Sequence, residues 1–94
     1  MQIASIRHKA LGRLATKGDR RIMQADRISD MLAYIVAAAS LEDLRMPPNF
    51  GFHALTGDRE GSFAMTVTRK WRLTFTVPSP RVVAELDLED YHGH

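Results

Sequence analysis

The stretch "SFAMTVTRKWRLTFTV", residues 62–77, decides the fold. Its period is two. Phe63, Met65 and Val67 fall on one side of an extended chain. Trp71, Leu73, Phe75 and Val77 repeat that pattern, with Arg72, Thr74 and Thr76 opposite. Arg69-Lys70 is a tight connection, so the two runs pair as antiparallel strands. Downstream, "PSP" makes the next turn, and "RVVAELDL" places Val82, Ala84, Leu86 and Leu88 on one face. Glu85, Asp87 and Glu89 then form a solvated row of carboxylates on the other. If the chain stays extended, Asp90 and His92 return to the parity of Leu86 and Leu88. Upstream, "FHAL" is a short strand and "TGDREG" a turn, marked by Gly-Asp and a second glycine.

Before residue 50 the period is that of a helix. "MQIASI" has the β-branched residues of an opening strand. "RHKALGRLATKG" spaces Leu11, Leu14 and Ala15 helically, with Gly12 weakening that helix by up to ~1 kcal/mol relative to alanine. Gly18 is a C-terminal stop, and Asp19 is placed to cap a second helix. That helix, about residues 20–39, carries Ile22, Ala25, Ile28, Leu32, Ile35 and Ala39 as one apolar stripe. "SLEDLRM" adds a further turn, with Ser40 and Asp43 as a weak capping signal, before Pro47-Pro48 ends helical structure. Helices first and a meander second predict an α+β fold. Two N-terminal helices pack on one face of a small, mainly antiparallel sheet, with residues 1–94 as a single domain.

Composition narrows the function classes. The chain has no cysteine, which excludes a disulfide framework and a thiolate zinc site. No apolar run approaches the ~20 residues that span a bilayer, and charge occupies the start where a signal peptide is apolar. The expectation is a cytoplasmic protein with no membrane partner. Net charge is only +2 but polarised. Arg7, Lys9, Arg13, Lys17, Arg20 and Arg21 against Asp19 make residues 1–21 net +5, whereas residues 82–94 are net −4. A basic first segment suits a polyanion such as RNA, though inert domains show the same polarity.

The chemistry-bearing residues are few. The closing "DLEDYHGH", residues 87–94, holds Asp90, Tyr91 and His92 in a row. An imidazole exchanges protons near neutral pH, a carboxylate orients it, and a phenol donates to phosphate. The plainer reading is a solvated chain end. His53 stands before the glycine turn, as a packing residue or a second imidazole. Arg72 points away from the apolar face, as a surface cation or a guanidinium for phosphate. Arg59 in "TGDREG" is a further phosphate contact, although that turn lacks P-loop spacing. His53, His92 and His94 make only a weak metal set, and no serine occupies a nucleophile elbow.

These pieces resemble a family. "IRHKALGRLATKGD", "LEDLRMPPNFGFHALTGDREGSFAM", "WRLTF" and "DLEDYH" stand in the order of HigB-type toxins, also called the plasmid maintenance system killer family. These belong to the RelE-like superfamily of toxin–antitoxin systems. The resemblance covers nearly the whole chain. It implies the α+β fold already read from the strands, and metal-independent endoribonuclease activity on mRNA in the ribosomal decoding site. It implies His53, Arg72, Asp90, Tyr91 and His92 as catalytic residues, with the two histidines as acid and base in unassigned order. Lys9, Arg13, Lys17, Arg20, Arg21, Arg59 and Lys70 are the RNA-binding candidates. No cofactor is implied. The implied partners are the 70S ribosome with its mRNA, a HigA-type helix-turn-helix antitoxin, and operator DNA reached only through that antitoxin. One departure stands out: Thr56 sits where the family often has a lysine, with Arg59 or Lys70 to compensate. That departure keeps open a non-cleaving toxin-fold module that serves as co-repressor. A metal-dependent nuclease is the third reading.

Overall fold

A computed structural model describes residues 1–90. Strand β1 (Gln2–Ile3) is followed by helices α1 (Lys9–Lys17) and α2 (Ala25–Ala37). A 3-10 turn (Leu41–Arg45) leads to β2 (His53–Ala54), a second one (Gly57–Arg59) to β3 (Ser62–Thr66), and then come β4 (Trp71–Ser79) and β5 (Val82–Asp90). The sheet order is β1-β5-β4-β3-β2. Among the described strands, β1 runs parallel to its neighbour, β5, and the other pairs are antiparallel. The α+β reading is therefore correct, with both helices over one face.

That face is the core. Leu11 and Leu14 of α1 and Ile28, Met31, Leu32 and Ile35 of α2 meet Met65, Leu73, Phe75, Val83, Leu86 and Leu88 of the sheet. Each fully buried large side chain contributes about 1.5–3 kcal/mol. The period-two reading of residues 62–77 thus selected the packed side. Ala15 and Ala39, expected on apolar stripes, are exposed; Met31 and Ala38 are buried in the second helical region.

Two local expectations need correction. Asp19 does not cap α2. Gly18 ends α1 in the left-handed region at φ 67, its N–H donating to the Leu14 carbonyl at 3.1 Å. Asp19 then folds onto Arg21, accepting from its backbone N–H at 3.1 Å and from its guanidinium at 2.6 and 2.9 Å. With that carboxylate satisfied locally, residues 20–24 form a turn and α2 begins at Ala25. At its other end, the Met1 ammonium donates to the carbonyls of Ile35 and Val36, at 3.0 and 2.9 Å. These are groups a helix C-terminus leaves without partners.

The second correction lies in β5. Val83, not Val82 or Ala84, is buried, yet Leu86 and Leu88 are buried as expected. Thr76 pairs with Ala84 while Thr74 pairs with Asp87, so two residues of β5 oppose Phe75 alone. This is a β-bulge, with Glu85 in the left-handed region at φ 52. The edge segment pins it: Glu85 N–H donates to Ser5 Oγ at 2.8 Å, and Leu86 N–H to the Ser5 carbonyl at 3.1 Å. One extra residue shifts the parity, which simple alternation could not anticipate.

Candidate active site

Beyond the bulge, β5 and β4 run in uninterrupted register, pairing Leu73 with Leu88, Arg72 with Glu89 and Trp71 with Asp90. Leu73 and Leu88 face the helices. Arg72, Thr74 and Glu89 therefore share the opposite face. There β2 adds His53 beside β3, where it pairs with Ala64. Leu55, Thr56, Asp58, Arg59, Arg72, Thr74, Glu89 and Asp90 line a cavity of about 260 Å³ on this side.

His53 and Arg72 meet directly. Arg72 Nη1 lies 3.2 Å from His53 Nε2, and His53 Nδ1 lies 2.9 Å from the Gly51 carbonyl oxygen. A guanidinium only donates and a carbonyl only accepts. That pair of neighbours matches the Nδ1–H tautomer of a neutral imidazole, in which Nε2 presents a lone pair. An imidazole with an accepting nitrogen, beside a cation with several donors, has the components of proton transfer at a phosphodiester.

Arg59 is held differently. Its two terminal nitrogens donate to the two oxygens of Glu89, each at 2.8 Å, and Thr74 Oγ1 donates to the same carboxylate. The hydrogen bond to Glu89 chiefly raises the Arg59 pKa, so the guanidinium is fixed in its charged form. The expected solvated row of carboxylates is thus incorrect at Glu89, whose side chain retains 23% exposure. Arg59 arrives from the 3-10 turn Gly57–Arg59 and Glu89 from β5, thirty residues away. No local signal in the sequence joins them.

The other candidates divide by location. Asp90 pairs with Trp71 in register, lines the cavity, and stands 3.8 Å from Lys70 Nζ. Lys70 also lies over the Trp71 ring, 5.8 Å from its centroid. Tyr91, His92 and His94 lie outside the described residues. Lys9 and Arg13 border a separate groove between the β1 edge and α1, and Lys17 closes α1. Arg20 pairs with Asp26, and Asp19 holds Arg21 and stands 3.6 Å from Arg13. This N-terminal group belongs to the helical layer and does not converge with the cavity. Arg7, absent from the expected binding set, does reach the outer face, where it lines a shallow depression with Arg59, Thr74, Asp87 and Glu89. Among the described residues, no helix is long and apolar enough to cross a membrane.

Comparison with known proteins supplies the context for this site. The solution structure of a conserved hypothetical protein of Helicobacter pylori aligns over 98% of this chain and 96% of its own, at 13% identity and a TM-score of 0.49. The endoribonuclease HigB of Proteus vulgaris is 38% identical over 93 residues, covering 96% of this chain and 99% of that protein. The family model for the RelE-like toxin of the type II toxin–antitoxin system HigB matches residues 4–92. That match takes in both helices, strands β2 to β5, and the whole cavity. The chain belongs to the HigB family of RelE-like toxins of type II toxin–antitoxin systems.

Proposed function

We propose that this toxin is a metal-independent endoribonuclease that cleaves mRNA in the decoding site of the 70S ribosome. The observation that carries the reading is the 3.2 Å contact between Arg72 Nη1 and His53 Nε2 at the edge of the cavity. The relative from Proteus vulgaris, named an endoribonuclease, supports it.

RNA brings its own nucleophile, the 2′-hydroxyl. A base removes that proton as the oxygen attacks the adjacent phosphorus. The P–O5′ bond breaks, leaving a 2′,3′-cyclic phosphate, and an acid returns a proton to the 5′ oxygen. His53 and His92 serve as the acid–base pair, with Asp90 and Tyr91 orienting them and the phosphate. Arg72 stabilises the charge that builds on the phosphoryl oxygens. Lys70 stands on the same rim, and the ribosome completes the geometry by presenting the codon. Lys9, Arg13, Lys17, Arg20 and Arg21 meet ribosomal RNA from the helical layer. A HigA-type helix-turn-helix antitoxin neutralises the toxin in the cytoplasm and carries it to operator DNA.

Induction in cells tests this. Growth should stop, with transcripts cut within their reading frames, and Arg72→Ala should relieve both effects. A second reading is favoured by one observation. Thr56 lines the cavity without a charge, and Arg59, three residues on, is committed to Glu89. A non-cleaving module that acts with the antitoxin as co-repressor would leave growth and transcripts intact while the folded protein still binds the antitoxin. A metal-dependent nuclease would instead cut purified RNA without ribosomes and lose that activity in EDTA.

A further inference from the structure

The backbone just ahead of His53 takes an unusual path. Asn49, Phe50 and Gly51 occupy the left-handed region in succession, at φ 35, 50 and 67. Residues with side chains seldom adopt that conformation, and rarely as a run. Several contacts hold it. Asn49 Oδ1 accepts from the Gly51 N–H at 3.0 Å, and the Thr66 N–H donates to the Phe50 carbonyl at 2.7 Å. The Arg27 guanidinium lies over the Phe50 ring, 5.2 Å from its centroid, and donates to the Thr66 carbonyl at 3.1 Å. Tyr34 meets the same ring edge-on at 5.4 Å. Thus α2 and the end of β3 clamp the loop from two sides. A Cβ at Gly51 would stand 2.9 Å from Thr66 Oγ1, so space as well as φ calls for glycine there.

The loop delivers the Gly51 carbonyl to His53 Nδ1 at 2.9 Å. Strain kept by surrounding contacts at such a point suggests a use. Building on the proposed cleavage, the geometry points to Gly51 as a positioning residue: its carbonyl locks His53 in the Nδ1–H tautomer and makes Nε2 the acceptor of the 2′-hydroxyl proton. His53 is then the base. The 2′ oxygen forms its bond to phosphorus, the P–O5′ bond breaks, and the leaving oxygen takes its proton from a general acid. In the free protein Arg72 Nη1 stands 3.2 Å from the same Nε2, placed to donate to it in that tautomer. RNA phosphate draws that guanidinium away and opens the nitrogen to the hydroxyl. Base strength and transition-state charge are thereby coupled through one side chain.

The test is a long-range proton–nitrogen NMR spectrum of the ¹⁵N-labelled full chain, at a pH where the imidazoles are neutral. His53→Gln assigns the signal by removing it. A protonated Nδ1 with a bare Nε2 is expected; an Nε2–H tautomer, or an averaged mixture, overturns the inference. Gly51→Ala should lose the tautomer preference and slow single-turnover cleavage on programmed ribosomes about 10²-fold, the scale of an ångström-sized misplacement, at unchanged ribosome affinity. A Gly51→Ala protein with the wild-type tautomer and rate overturns the positioning role. The wild-type spectrum decides the tautomer even where the alanine variant does not fold. A wild-type protein with Nδ1–H that leaves ribosome-bound mRNA intact overturns the cleavage reading and the base role with it, while the tautomer lock stands.

Discussion

Two pairs of arginines in this molecule are held in different ways. Around the α1–α2 turn, Arg20 and Arg21 pair with Asp26 and Asp19 over short sequence separations. Their side chains remain 52% and 87% exposed. On the outer sheet face, Arg59 and Arg72 reach partners thirty and nineteen residues away, in partly buried contacts. The first group is part of the basic opening segment, residues 1–21. The second creates a place where charge has a direction. Charge density read along a chain reports the first kind and is blind to the second, because fork geometry and desolvation come from the fold.

The sharpest way to break this contrast is to remove one member of the oriented set. His53→Ala and Arg72→Ala should each lower cleavage of ribosome-bound mRNA by roughly 10²–10³-fold, measured by primer extension with circular dichroism confirming the fold. Wild-type rates in either variant would show that the outer face is not the reaction site. Glu89→Ala comes next. It strips the fork from Arg59 and the acceptor from Thr74, which is only 4% exposed. Urea denaturation should register a loss of about 1–2 kcal/mol, discounted for the partial exposure of Arg59.

A smaller effect belongs to the turn. Replacing Arg20 and Arg21 together with glutamine should flatten the salt dependence of ribosome affinity by about one to two units of log–log slope. An unchanged slope would remove the turn from the docking surface. The smallest effect is Asp19→Asn. Hydrogen bonds from Arg21 hold this carboxylate well below its ordinary value of 3.8. A depressed folded pKa adds stability that is whole above the unfolded value and drains as pH falls through the folded one. Wild type and Asp19→Asn should therefore differ by a constant amount across neutral pH and converge only in acid below about pH 4, as followed by fluorescence. A difference that closes already between about pH 5 and 7 would reject this origin.

Much of the fold was legible because residues 62–77 alternate strongly and place their large apolar side chains on one side. The pattern there is a direct imprint of packing. Helix boundaries were less legible: Asp19 has the chemistry of a cap, and only the geometry of the Gly18 stop shows that it serves Arg21 instead. The candidate site was legible as residue types. His53, Arg72 and Arg59 gather on the outer face of the sheet and Asp90 borders the same cavity from the end of β5, while Tyr91 and His92 fall outside the described residues. Glu89 and Gly51 were not legible as partners. Glu89 looked like one more solvated acid in a row, and its role depends on a turn thirty residues away. Gly51 offered only a faint signal, a glycine after Asn49-Phe50 and two residues before a histidine.

The extra residue at Glu85 has a reach far beyond its own turn. A strand is read in alternate positions, and this insertion changes the reading phase halfway along β5. Val83 keeps the greasy phase before it, and Leu86 and Leu88 keep it after. Excise one residue there and the distal half rotates by half a turn. Leucines would swing out over the arginines while Asp87 and Glu89 were driven in against the helices. The segment that follows the edge strand, by gripping residues 85 and 86 through Ser5, acts as the frame-keeper for chemistry at the far end of the sheet.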